Sequence, residues 1–108
     1  MSSTLDNLEK LLGTPRDGAL LRYSLGLEYL KTGNLARAIE HLRDAVARDP
    51  LYSAAWKALG KTLEQDHRNS EALDVYRRGI EVAKSKGDRQ AEKEMSVFAR
   101  RLEKRIAG

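Results

Sequence analysis

A pattern of small and large residues recurs in this chain at a spacing of 34 residues, and nothing else in the sequence restricts its fold as tightly. The first copy opens on Leu25, Gly26, Tyr29 and Gly33 and closes on Ala38, Leu42, Ala45 and Pro50. The second opens on Trp56, Leu59, Gly60 and Leu63 and closes on Ala72, Tyr76 and Gly79. Gly26 and Gly60, Ala38 and Ala72, and Ala45 and Gly79 each stand 34 residues apart, with no gap between the copies. A period of that length, with small residues fixed between large ones, belongs to a helix–turn–helix unit that stacks on its own copy. Gly26, Gly60, Ala38 and Ala72 have almost no side chain, so the two helices of a unit can approach closely. Glycine inside a helix costs roughly 0.5–1 kcal/mol relative to alanine, so two glycines in register imply a packing return.

The chain has 108 residues, which makes one compact domain the natural count. It is 41 % hydrophobic and 33 % charged, enough for a modest core under a wet surface. With two prolines and one phenylalanine, it suits helices better than strands. It has no cysteine, so disulfides, a thiol nucleophile and a Cys-rich metal site are excluded. The opening Met-Ser-Ser-Thr-Leu-Asp lacks the basic region and apolar run of a secretory signal. No apolar run reaches the roughly 20 residues that cross a bilayer, so the expected setting is the cytoplasm, without a membrane partner. The net charge is +4, and all of it sits at one end. Residues 1–83 carry 12 Lys/Arg against 12 Asp/Glu, whereas residues 84–108 carry 8 against 4.

Local signals predict six helices and no strands. Ser3 or Thr4 caps a first helix with Leu5, Leu8, Leu11 and Leu12 on its apolar stripe, and Gly13 with Pro15 stops it. A second helix runs from about Asp17 to Thr32 and turns at Gly33-Asn34. A third runs from about Leu35 to Arg48, before Asp49-Pro50 ends it. Ser53 is expected to cap a fourth, reaching about Asp66. His67 follows where the first copy has Gly33; a positive φ there would strain His more than Gly. A fifth helix spans about Ser70–Lys86. Gly87 can close it, and Asp88 can cap a last helix whose apolar face is Ala91, Met95, Phe98, Leu102 and Ile106.

These residues resemble the tetratricopeptide repeat, whose pattern is W-x₂-L-G-x₂-Y, then A-x₃-F, then P. The first copy, 19–52, matches at Leu25, Gly26, Tyr29, Ala38 and Pro50 and departs at Arg22, where the pattern has Trp. The second, 53–86, matches at Trp56, Leu59, Gly60, Ala72 and Tyr76 and departs at Leu63 and Lys84. The whole chain is similar to small stand-alone bacterial proteins of this class. The resemblance implies an all-α, right-handed stack of antiparallel helix pairs. Two repeats would be flanked by capping helices at 1–15 and 87–108, within a single domain spanning 1–108. About three repeats are usually needed for stability, so the end helices are expected to supply the missing burial.

The resemblance also implies a concave groove, lined by the first helix of each repeat, that holds a protein or peptide segment. Carried over by position, the lining is Leu20, Tyr23, Ser24, Leu27, Leu30 and Lys31, then Ala54, Lys57, Ala58, Lys61, Glu64 and Gln65. An alternative is that the N-terminal helix folds back over Leu20, Leu27 and Leu30. The Lys/Asn/Arg clamp by which some family members hold a C-terminal carboxylate is missing, since Tyr23, Leu27 and Ala58 stand at its positions. Lys57 and Lys61 lie one turn apart and suit an acidic group, or are a solvated pair. The function expected is an adaptor without chemistry of its own, a monomer or weak homodimer needing no cofactor.

A second reading is a nucleic-acid accessory factor gripping phosphates with Arg100, Arg101, Lys104 and Arg105. The cations also complement the negative end of the last helix, for ~0.3–1 kcal/mol each. No aromatic residues alternate with them, which argues against base stacking. A third reading is a subunit that self-associates through a repeat end. His41 and His67 have neither a paired nucleophile nor ligand spacing, and His41 is expected on the surface. No metal site and no phosphate loop is legible, and an enzyme is not expected.

Overall fold

The computed structural model describes residues 3–108. Its helices are α1 (Thr4–Glu9), α2 (Ala19–Lys31), α3 (Leu35–Arg48), α4 (Ser53–Gln65), α5 (Asn69–Lys86) and α6 (Arg89–Ala107), with no strand among the described residues. Helices α2 and α3 pack as one pair and α4 and α5 as a second, stacked through α3 and α4. Helix α1 lies on α2 at one end, and α6 lies on α5 at the other. The stack is elongated, with extents of 46 × 29 × 18 Å.

The helix ends follow the local chemistry. Ser3 caps α1 through a reciprocal pair, its Oγ accepting from the Asp6 N–H at 3.0 Å. This helix is shorter than expected: it stops at Glu9, and the chain continues in turns to Gly13 at φ +74°. The Asp49-Pro50 stop and the Asp88 cap, which accepts from the Ala91 N–H at 3.2 Å, are where the sequence puts them. His67 adopts a positive φ of 60°, the strained equivalent of Gly33 at 78°. Ser53 departs from expectation, because Tyr52 is the N-cap of α4. The Ser53 hydroxyl instead donates to Oδ2 of Asp88 at 2.8 Å, tying the start of α4 to the start of α6.

Small residues set the helix separations. A Cβ on Gly26 would stand 2.6 Å from Cγ of Leu42, and one on Gly60 would overlap the Tyr76 ring. One on Gly79 would stand 2.5 Å from Sδ of Met95 and 2.9 Å from Cβ of Trp56. The contact at Gly79 lies where α4, α5 and α6 meet. Leu25, Leu42, Leu63, Tyr76, Met95 and Leu102 are fully buried. One core cluster runs from α3 through α6, and Tyr23 and Leu27 of α2 pack against it. Phe98 packs on Tyr76 with ring centroids 5.6 Å apart. Ile106, expected on the same buried face, is 48 % exposed near the end of α6.

Candidate functional site

The site begins with α2, which buries little. Leu21, Leu25 and Gly26 are buried, and the face that carries Tyr23, Leu27 and Leu30 is half-buried, with Tyr23 and Leu27 packed on the edge of the core. Tyr23, Leu27 and Leu30 lie on that face at helical spacing and form one wall of a groove of about 410 Å³. Ala54, Lys57, Ala58 and Lys61 of α4 form the other wall, and Lys31 and Gln65 lie at its end. Leu20 lies outside this lining and is 68 % exposed; Ser24 and Glu64 are outside it too. Tyr52 packs on Tyr23 at 4.9 Å between ring centroids and steadies that end of the groove.

No residue of α1 lines the groove, so the N-terminal helix does not fold back over Leu27 and Leu30. Helix α1 is anchored elsewhere, by a hydrogen bond from the Tyr29 hydroxyl to Oε1 of Glu9. Tyr29 is directed away from the groove, with its ring stacked on His41.

The charges around the groove are unequal in their partners. Nζ of Lys31 is 3.0 Å from Glu28, and Nζ of Lys57 is 3.1 Å from Oε2 of Glu94 on α6. Lys61 forms no ion pair among the described residues and lies 5.5 Å over the Phe98 ring. A smaller hollow of about 200 Å³ lies between α4 and α6, where Lys57 meets Asp88 and Glu94. The Ser53 hydroxyl and the Ala91 N–H hold the Asp88 carboxyl below its ordinary range. On the side of α3 and α5, Val46, Trp56, Leu59 and Val75 floor a third hollow of about 320 Å³. The Arg43–Glu71 pair at 2.7 Å crosses its rim.

Arg100, Arg101, Lys104 and Arg105 are all exposed, and none forms an ion pair among the described residues. The structure does not bring them to the groove, whose lining ends at α4.

One polar cluster escaped the sequence reading. Arg22 binds Asp17 through Nε at 2.9 Å and Nη2 at 3.1 Å, and Asp44 through Nη1 at 2.7 Å. The same Nη1 is 3.5 Å from Nδ1 of His41. The Arg22 guanidinium, and after it the Gly13 N–H that donates to the same carboxylate, draws the Asp17 pKa down to about 2. His41 is not a surface residue: it is 4 % exposed, with its ring parallel to Tyr29 and centroids 5.5 Å apart. Burial, then the Arg22 charge, pushes its pKa below the ordinary value. The signal for this cluster was a joint departure from the repeat. Arg22 stands 34 residues before Trp56, and His41 stands 34 residues before Val75. An apolar pair in the second repeat is thus a polar pair in the first.

Among the described residues, no group of three or more His, Cys, Asp or Glu is placed to hold a metal ion. No helix among them is long and apolar enough to cross a membrane.

Comparison with known proteins gives consistent matches. The family model described as tetratricopeptide repeat matches residues 23–88. A TPR repeat-containing protein of Pseudomonas aeruginosa is 45 % identical over 100 residues, covering 93 % of this chain and 95 % of its own. The solution structure of a protein from Bordetella parapertussis is 40 % identical, with a TM-score of 0.84 over 99 % of this chain and 93 % of its own. The solution structure of a tetratricopeptide repeat domain protein from Salinibacter ruber is 33 % identical, with a TM-score of 0.76. It covers 81 % of this chain and 88 % of its own. The match to the Bordetella protein includes both end helices, so the all-helical stack is shared along almost the whole chain.

Proposed function

The chain belongs to the tetratricopeptide repeat family, and from that premise we propose that it is a cytoplasmic binding module whose α2–α4 groove holds a segment of another protein. One observation carries this reading: the apolar wall of Tyr23, Leu27 and Leu30 faces a second wall of lysine stems, and neither α1 nor α6 covers the space between. Apolar surface left open in a rigid scaffold binds by burial, at roughly 25 cal/mol per Å² of apolar area. Tyr23 is the anchor, because aromatic residues at the centre of an interface carry more binding energy than exposed charges. Lys57 and Lys61 act on orientation and association rate, since exposed ion pairs are worth only ~0–1 kcal/mol. Leu20 and Ser24 extend the contact beyond the groove proper.

The test starts from a partner captured with the purified full chain. Tyr23→Ala should weaken its binding more than Lys57→Ala does, and added salt should weaken it mildly. Equal affinity for wild type and a folded Tyr23→Ala moves the site off this face. The exposed Arg100, Arg101, Lys104 and Arg105, which form no ion pair among the described residues, support a second reading, an anionic ligand on α6. That reading requires strong salt dependence and amide shifts confined to these residues.

A further inference from the structure

Lys57 occupies the ridge between two hollows. One is the apolar groove; the other is the smaller hollow that Lys57 shares with Asp88 and Glu94. Its ammonium lies on the acidic side, at 3.1 Å from Glu94, and the two side chains are 29 % and 36 % exposed. A lysine stem has four rotatable carbons, and the head can swing across the ridge without moving the helix. Lys61, one turn along α4, holds its charge 5.5 Å over the Phe98 ring and forms no ion pair among the described residues. Groove cations therefore exceed the carboxylates that answer them. The opposite wall, Leu27 and Leu30 with Tyr23, offers no hydrogen-bond donor beyond one phenol.

A ligand that satisfies both walls needs an apolar stripe and a flank of carboxylates. Tyr23 to Leu30 spans about 10 Å along α2, at 1.5 Å per residue, which matches two turns of a facing helix. Nucleic acid supplies the negative charge but not the stripe. We propose that the groove takes an acidic amphipathic helix from another protein, and that one of its carboxylates draws Lys57 away from Glu94. Glu94 is then an internal competitor: it occupies Lys57 in the free protein, repels the incoming carboxylate, and sets the threshold that a partner must exceed. The exchange trades one half-exposed ion pair for another, so it is nearly balanced, and the apolar stripe decides whether a helix stays. This inference rests on the groove reading above.

The test uses the full chain and three synthetic amphipathic peptides that share one leucine stripe. Their flanks carry glutamate, glutamine or lysine. Affinities come from fluorescence anisotropy, and contact sites from amide shifts. The glutamate peptide should bind most tightly and shift amides of α2 and α4. Glu94→Gln should tighten that peptide by about two- to fivefold and leave the glutamine peptide unchanged. Lys57→Gln in the Glu94→Gln background should abolish the gain. A variant that merely loosened α6 would alter the glutamine peptide as well, and its melting curve would fall. If no peptide shifts α2 and α4, the groove reading falls together with the inference. If the glutamine or lysine peptide binds as well as the glutamate one, or Glu94→Gln changes nothing, the inference fails while the groove stands. Shifts confined to Arg100–Arg105 would transfer acidic recognition to α6 and overturn it too.

Discussion

Gly60 leaves no space for a side chain between α4 and Tyr76, because even a Cβ would overlap the ring. Gly60→Leu should therefore unfold the chain or lower its melting temperature sharply. Overpacking costs typically ~1–3 kcal/mol, occasionally more, and each kcal/mol moves the midpoint of a domain this size by roughly 4–8 °C. An unchanged melting curve would show that α4 and α5 can separate freely. His41 is the other residue with a measurable signature. It is packed against Arg22 and Tyr29 of α2 and lies near Arg37, Glu40 and Asp44 on α3. Its folded pKa is lowered, so the unfolded chain protonates first, near the ordinary 6.5. The unfolded state then binds more protons, and stability falls as pH drops below that value. His41→Val, which installs the residue of the second repeat, should flatten this fall in a melting series. The Asp17 contribution is lost separately and much lower, as pH falls from 3.8 towards about 2. A slope below pH 6.5 that survives His41→Val would assign it to another group. The glycine contacts were legible because spacing alone marks them. The Arg22–His41 contact was not, since it joins residues 19 apart and only the packing of α2 on α3 brings them together.

At the scale of the element, the two end helices differ in what they hold. Helix α6 buries Ala91, Met95, Ala99 and Leu102 against the second repeat. Full burial of residues the size of Met95 and Leu102 stabilises by roughly 1.5–3 kcal/mol each. Truncation after Gly87 should expose Tyr76 and Gly79, lower the helical signal and make the protein aggregate. A truncated chain that remains monomeric and equally stable would show that α6 is dispensable. Helix α1 has no buried residue and is held by Glu9 on Tyr29 and by half-buried leucines. Its place in the repeat was legible but unread. Leu5 and Ile39, Leu8 and Leu42, and Leu12 and Val46 are each 34 residues apart. Helix α1 thus carries the pattern of a repeat's second helix, and it packs on α2 as α3 packs on α4. Gly13 and Pro15 stop it early, and that break concealed the match.

In the whole molecule each helix touches mainly its neighbours in order, so stability is close to a sum of local interfaces. Amide exchange should rank accordingly, slowest in α3 to α5 and fastest in α1, because opening α1 exposes no buried side chain. Protection of α1 equal to that of α5 would contradict a nearest-neighbour stack. The uncovered groove belongs to this scale as well, since its openness depends on where α1 and α6 come to rest. The repeat period, the all-helical class and the close contacts at Gly26 and Gly60 are legible in the sequence alone. Each of these follows from periodicity and side-chain size, which are local and additive along the chain. Helix docking places α1 clear of the groove, joins Ser53 to Asp88 in place of capping α4, buries His41 and rests Lys57 on Glu94. Each of those joins side chains from different helices. Such contacts depend on the angle and register at which helices dock, and hydrophobic periodicity fixes the buried face of a helix without fixing its polar partners.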